Sequence, residues 1–260
     1  MTGGPEIFSP SYYERLDLLE RRHWWCRSVR RVALRMIEPV TASTGIVLDA
    51  GCGTGGFLAA MIARHFSMSG VGADVSIDAL VRARGHGVER LIDASVVALP
   101  VMSEGVDLVV SNDVLQHLPE GEDARAVAET YRVLKPGGFF CARSNLGTPI
   151  AAGPSLHRRY DRPALSRLVR AGGFSILEHR VLHPLAGWRA SLRHQAPREG
   201  EGEAEHKESG HGLSLVLPAA PINAAIDLYT RLEDAIVRRL PFAVPHGDAQ
   251  IILAQKPRRA

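Results

Sequence analysis

The stretch Asp49-Ala50-Gly51-Cys52-Gly53-Thr54-Gly55-Gly56 gathers residue types that handle a charged small molecule. Glycines at 51, 53 and 55 let the chain turn tightly and let a ligand approach main-chain N–H groups at a helix start. The same letters satisfy G-x-G-x-x-G through Gly51, Gly53 and Gly56, so a dinucleotide site must be weighed. Asp74, an acid at the end of a second apolar run, can accept from two ribose hydroxyls in either kind of site. Asp49 discriminates between them. A pyrophosphate beside the loop disfavours a carboxylate there, whereas a ligand bearing an amino group and a sulfonium favours it. His117 is the candidate general base, because a neutral imidazole suits that role near pH 7. A structural role in shaping a turn stays equally open. Tyr13, His157 and Tyr160 are secondary candidates. Cys52 has no partner at a catalytic spacing and reads as a small packing residue.

These residues need a scaffold, and the periodicity predicts one. Apolar residues recur at helical spacing over 12–37, with Pro39 closing the helix. Short apolar runs at 45–50, 70–74, 90–93, 106–111 and 139–142 read as strands, with helices at 57–66, 76–84 and 124–134 between them. Alternation of this kind predicts a parallel sheet covered on both faces. Past residue 150 come a helix at 161–171, a strand at 174–182, a polar segment at 195–212 that reads as a mobile loop, an amphipathic helix at 222–240 and a last strand at 249–254.

Composition bounds the function. The chain has 260 residues, 45% hydrophobic and 23% charged, which excludes a disordered chain. The net charge of +3 excludes a strongly basic nucleic-acid coat. Charge is distributed unevenly: +2 over residues 1–40, −4 over 41–150 and +5 over 151–260. Cysteines 26, 52 and 141 form no disulfide or zinc pattern, which points to a reducing compartment. No signal peptide and no spanning segment are visible. A cytoplasmic location follows as the expectation, and no metal site is expected.

The runs VLDAGCGTGGF (47–57), GADVS (72–76), IDAS (92–95), VDLVVSNDVLQHL (106–118) and YRVLKPGGFF (131–140) occur in a set order. In that order the chain resembles the class I S-adenosylmethionine-dependent methyltransferases. The resemblance implies an α/β fold: a Rossmann-like doubly wound sheet of seven strands with the last strand antiparallel. It implies S-adenosyl-L-methionine as cofactor. Asp49 and the Gly51, Cys52, Gly53, Thr54 and Gly55 loop would line the methionine moiety. Asp74, with Val75 beside it, would hold the ribose. Asp93 would accept from the adenine amino group, with Ala94 and Ser95 beside the ring, and Asn112 and Asp113 would border the methyl-transfer site. The pattern Glu20-…-His23-Trp24-Trp25-Cys26-Arg27-…-Arg30-Arg31 is similar to an N-terminal helix in one subgroup of these enzymes, which covers the cofactor pocket. By that likeness Trp25 would pack over the pocket and Arg27 would pair with the methionine carboxylate.

The expected organisation is an N-terminal helical lid at 1–40 and a cofactor-binding methyltransferase domain at 41–260, with a C-terminal helical insert at about 183–245. Helix 222–240 could cover an apolar acceptor, dock on a partner subunit, lie on a lipid surface or pack on its own domain. The expected reaction is methyl transfer to a small molecule, foremost to a hydroxyl oxygen of a glycan, lipid-linked or secondary-metabolite acceptor. C- or N-methylation, an NAD-dependent oxidoreductase and a non-catalytic partner of the same fold are the alternatives. No nucleic-acid partner is expected, and monomer and homodimer both stand.

Overall fold

In the computed structural model seven strands form one sheet in the order β3-β2-β1-β4-β5-β7-β6. The structure describes residues 8–42, 44–65, 67–147, 160–184, 216–239 and 247–259. β1 (Ile46–Ala50), β2 (Ser69–Asp74), β3 (Arg90–Asp93), β4 (Val106–Asn112) and β5 (Leu134–Asn145) are parallel. β7 (Ala249–Gln255) runs antiparallel between β5 and β6 (Ser175–Leu182). The seven-stranded Rossmann-like sheet with an antiparallel last strand is therefore present. The strand order reverses between β1 and β4, which leaves a crevice outside their carboxyl ends. Asp49 and Asn112 stand at those two ends.

Why these runs form buried strands is visible in how they split between two cores. Consecutive residues point to opposite sheet faces. Leu48, Val109, Phe140 and Ile252 join one core with Val127, Leu165 and Phe174. Their neighbours Val47, Leu108, Cys141 and Ile251 join the other with Ile37, Leu58 and Met61. Burying each large aliphatic side chain contributes about 1.5–3 kcal/mol, so a one-residue register slip would exchange the two cores. β5 starts earlier than the sequence predicts. A register irregularity between Val106 and Leu108 absorbs the Pro136-Gly137-Gly138 turn and lets Leu134 pair with Val106.

The helices are α1 (Pro10–Arg22), α2 (Trp24–Thr41), α3 (Gly56–Ile62), α4 (Ile77–Gly85), α5 (Glu122–Val133), α6 (Arg162–Ala171) and α7 (Ala220–Val237). The single helix predicted over 12–37 is two. His23 is extended (φ −71°, ψ 133°), its N–H closes α1 on Leu19 O at 2.7 Å, and its Nδ1 accepts from Trp25 N at 3.2 Å to cap α2. An imidazole acting as helix cap has no signature in apolar periodicity. Pro39 does not close α2 but lies inside its last turn, where one missing N–H is tolerated and Thr41 Oγ1 donates to Glu38 O at 2.7 Å. Ser76 and Asp161 cap α4 and α6 through Ala79 N (3.3 Å) and Ala164 N (2.6 Å).

α7 packs on α2 rather than over the crevice, and it does so with its polar side. Trp24 N donates to Asn223 Oδ1 at 2.9 Å, and Arg31 donates to Asp227 Oδ1 at 3.1 Å and Thr230 Oγ1 at 3.0 Å. Residues 195–212, His157 and Leu240 lie outside the described residues.

Candidate active site

The crevice at the strand-order reversal is a cavity of about 650 Å³. Its floor is the glycine turn. Gly51 adopts φ 80°, and a Cβ there would fall 2.3 Å from Val114 Cγ2, so glycine is required for both conformation and space. The turn is fixed by Gly51 N and Cys52 N, which both donate to Ala73 O (2.7 and 2.9 Å). Gly53 N donates to Asp74 Oδ2 at 2.8 Å, and Ser76 N donates to Asp74 Oδ1 at 3.0 Å. Asp74 is thus held rigidly at the cavity wall by backbone of the loop and of the α4 start.

The same cavity receives Glu20 from α1, Asp49 from β1 and Asp74 from β2. Burial, then the neighbouring Asp74 and Glu20 carboxyls, push Asp49 up to about 7. Glu20 is raised chiefly by burial, offset by the Thr54 hydroxyl that donates to it. Asp74 is raised by burial, offset by its backbone donors. Asp49 Oδ1 and both polar side-chain atoms of Asn112 are buried without a hydrogen-bond partner. Unpaired buried groups of this kind are costly. A ligand carrying a sulfonium and an ammonium would satisfy the acids, so the donor set fits S-adenosylmethionine. A pyrophosphate would meet the Glu20 and Asp49 carboxyls, which argues against the NAD reading.

The opposite wall is built on a cation. Arg143 of β5 donates from Nε to Asp113 Oδ1 (3.2 Å) and Oδ2 (3.1 Å) and pairs again through Nη2. Asp113 adopts φ 59°, and its N–H donates to Arg143 O at 2.9 Å. The Arg143 guanidinium lies 5.5 Å from the Trp25 ring centre, a cation–π distance. Trp25 Nε1 donates to Asp248 Oδ2 at 2.8 Å. Asp248 also contacts His183 Nδ1 at 2.8 Å, and His183 Nε2 contacts Ser28 Oγ at 2.9 Å.

His117 ends a 3-10 turn (Leu115–His117) after β4 and lines the cavity, edge-to-face with Phe8 at 5.5 Å. Phe8 also meets Tyr12 (6.0 Å) and Tyr13 (6.5 Å), so this end is aromatic. Burial pushes the Tyr13 hydroxyl up to about 12, so it stays protonated. Tyr160 does not line the cavity: it is buried, and its hydroxyl lies 2.8 Å from Asp123 Oδ2 and 3.2 Å from Leu115 O, tying α5 to the turn that carries His117.

Of the residues expected at the site, Trp25, Asp49, Gly51, Cys52, Gly53, Asp74, Val75, Ala94, Ser95, Asn112, Asp113 and His117 line the cavity. Four do not. Arg27 pairs with Asp227 of α7 at 3.2 Å, because one residue along a helix is a 100° rotation away from the face bearing Trp25 and Cys26. The cavity's arginines are Arg30, one turn beyond Cys26, and Arg143. Asp93 stays exposed at the end of β3, beside Asp74. Thr54 is fully buried under Glu20, and Gly55 packs against α4, where a Cβ would come within 2.6 Å of Ala83 Cβ. Glu20 and Arg30 belong to the N-terminal pattern but received no role in the sequence reading, and Arg143 and Asp248 had no signal there. Burial raises all three thiols, with Cys26 and Cys141 at about 12, which supports packing rather than chemistry for the cysteines. Among the described residues no group of three or more metal-ligating side chains converges, and no helix is long and apolar enough to cross a membrane.

Comparison with known proteins agrees with this geometry. Residues 48–142 match the model of a methyltransferase domain family. The chain is 30% identical over 166 residues to a Mycolicibacterium smegmatis protein named as a probable S-adenosylmethionine-dependent methyltransferase, covering 61% of this chain and 62% of that one. It is 38% identical over 131 residues to the malonyl-[acyl-carrier protein] O-methyltransferase of Enterobacter lignolyticus, covering 49% and 46%. It thus spans less than two thirds of either relative. Among solved structures the [4+2]-cyclase SpnF superposes with a TM-score of 0.59 at 20% identity, covering 99% of this chain and all of that one. That likeness speaks for the fold alone, and the chemistry has to be read from the site. The five ordered motifs, the acid-lined crevice and the matching domain model mark residues 48–142 as a class I S-adenosylmethionine-dependent methyltransferase domain, with S-adenosylmethionine as its cofactor.

Proposed function

We propose that the protein methylates a hydroxyl oxygen of a small, partly apolar acceptor that enters beneath α1. The observation that carries this reading is the aromatic end of the cavity, where Phe8 meets the His117 imidazole edge-on and in turn contacts Tyr12 and Tyr13. Glycan, lipid-linked and secondary-metabolite hydroxyls all belong to this class. Residues 1–40 serve as the lid and 41–260 as the catalytic domain. The three buried free cysteines support a reducing, cytoplasmic setting.

Bound S-adenosylmethionine supplies an activated methyl group, so the protein's task is orientation, exclusion of water and removal of one proton. Asp49 would face the cationic amino acid portion, and Arg30 would take the carboxylate role expected of Arg27. Asp74 would accept from the ribose hydroxyls, and Ala94 and Ser95 would flank the base. Asn112 offers its unpartnered amide at the transfer site. His117 is placed at the cavity wall to take up the proton that the acceptor's hydroxyl would lose on methylation.

Labelled cofactor incubated with a panel of acceptors, followed by mass spectrometry for a gain of one methyl group, tests the substrate class. His117→Ala should lower turnover by about 10²–10⁴ with cofactor affinity unchanged. Wild-type turnover would remove His117 as base and return the C- or N-methylation reading.

A further inference from the structure

α7 is oriented against the usual rule for a surface helix. Its Asn223, Asp227, Thr230 and Glu233 are buried, whereas Ile222 is 56%, Leu228 58%, Leu232 58% and Ile236 61% exposed. The cause is on α2. Arg27, Arg31 and Arg35 recur at every fourth residue and form one stripe, which takes Asp227 and Asp234. Asn223 adds two bonds to the start of α2 by accepting from Trp24 N and donating to Arg22 O. This polar seam fixes which side of α7 faces inward. The outward side repeats apolar residues at 222, 225, 229, 232 and 236, the spacing of one helix face over the 18 residues of α7.

The charges of α7 are sorted in the same way. Asp227, Glu233 and Asp234 all lie on the covered side, with Asp227 and Asp234 side chains only 7% and 13% exposed. Arg231, Arg238 and Arg239 are exposed; Arg231 reaches back to Asp227 at 3.1 Å and Arg238 to Asp234 at 3.8 Å, but both acids already pair with arginines of α2, so arginines outnumber carboxylates along this seam. The outward face is therefore apolar at its centre and cationic at its margin, with no carboxylate of the helix on it. We infer that this face lies on an anionic lipid surface, with the helix axis in the membrane plane. Helices with such a face bury it at the boundary of headgroup and acyl chain, while marginal arginines meet lipid phosphates. A second copy of the chain is the poorer match, because its α7 would bring the same arginines and no exposed acid to pair with them. The inference is independent of the acceptor's identity, since no α7 residue lines the cavity.

Sedimentation of the full chain with phosphatidylcholine vesicles, with and without phosphatidylglycerol, tests it. The wild type should pellet with the anionic vesicles, less so as salt rises, and weakly with the neutral ones. Leu232→Glu combined with Ile236→Glu should lose at least about tenfold in partitioning. Arg238→Gln and Arg239→Gln should each lose about fivefold on anionic vesicles. All variants should bind S-adenosylmethionine as the wild type does, which separates loss of the surface from loss of fold or of methyltransferase function. Should the charged pair fail to fold, the wild type on the two vesicle types still decides. Failure of the wild type to pellet with anionic vesicles would overturn the inference. So would a dimer in analytical ultracentrifugation that Leu232→Glu dissociates and that ignores vesicles.

Discussion

Asp49 reaches the end of β1 with one oxygen buried and unpartnered, and burial with two neighbouring acids raises its pKa to about 7. In the unfolded chain the group titrates near the ordinary carboxylate value of about 3.9. Between those values the unfolded chain is ionised and the folded one is protonated, so the unfolded state binds fewer protons. The stability of the cofactor-free protein should then fall as pH rises from about 4 to 7, by up to about 1.4 kcal/mol per pH unit from this group. A cationic ligand prefers the ionised form, so its affinity should rise between roughly pH 6 and 7.5 with release of a proton. Asp49→Asn should flatten both dependences and melt higher than the wild type at the alkaline end. Melting curves and calorimetry in buffers of different ionisation enthalpy read them; a steep pH dependence surviving in the variant would exclude Asp49 as its source. The motif spacing showed that an acid stands here. It did not show the raised pKa, because Glu20, Asp49 and Asp74 come from three separate elements and their convergence is a tertiary fact. Asp93 marks the opposite case, an acid in the right motif position that the end of a short edge strand leaves in solvent.

α2 shows what an element adds to its residues. Trp25, Cys26, Val29 and Arg30 line the cavity, and Arg27, Arg31 and Arg35 face α7. Two adjacent stripes of one helix therefore carry different tasks, and which arginine serves the cofactor depends on the helix's rotation. The pattern around Trp25 was legible in the sequence, but the pairing of α2 with α7's acids across some 200 residues of chain was not. The choice between Arg27 and Arg30 was for that reason not legible. Arg30→Ala should weaken S-adenosylmethionine binding by about 10–100-fold, the worth of a charge-assisted bond. Arg27→Ala should leave cofactor binding alone and cost at most about 1 kcal/mol of stability, since the Arg27 side chain is 38% exposed. Calorimetric titration of both variants checks the assignment, and the reverse ranking would restore Arg27.

Across the whole molecule the opening asymmetry of charge acquires a layout. The acidic middle of the chain, −4 over residues 41–150, supplies Asp49 and Asp74 to the cavity. Much of the basic flank is structural, because the α2 arginines neutralise the acids of α7. A parallel sheet covered on both faces was legible, because short apolar runs alternating with helices admit few arrangements, and the antiparallel last strand came with the family resemblance. The closure of the cavity was not, because it joins both ends of the chain. Trp25 near the start and Asp248 near the finish share a hydrogen bond, and Asp248 is in turn held by His183, which reaches Ser28 on α2. The antiparallel β7 makes this meeting obligatory: its first residue pairs with Asn145 and Leu182, which sets Asp248 at the carboxyl ends of β5 and β6. Asp248→Ala leaves the indole N–H and the His183 ring without their acceptor, at about 1–3 kcal/mol for each unpaired group. The melting temperature should fall, and the loosened Trp25 should raise the dissociation constant for S-adenosylmethionine by about tenfold through lost preorganisation. Asp248→Asn, which keeps one acceptor oxygen, should lie between the two. A lower melting temperature with an unchanged dissociation constant would mean that the bridge serves the fold and does not set the roof of the site.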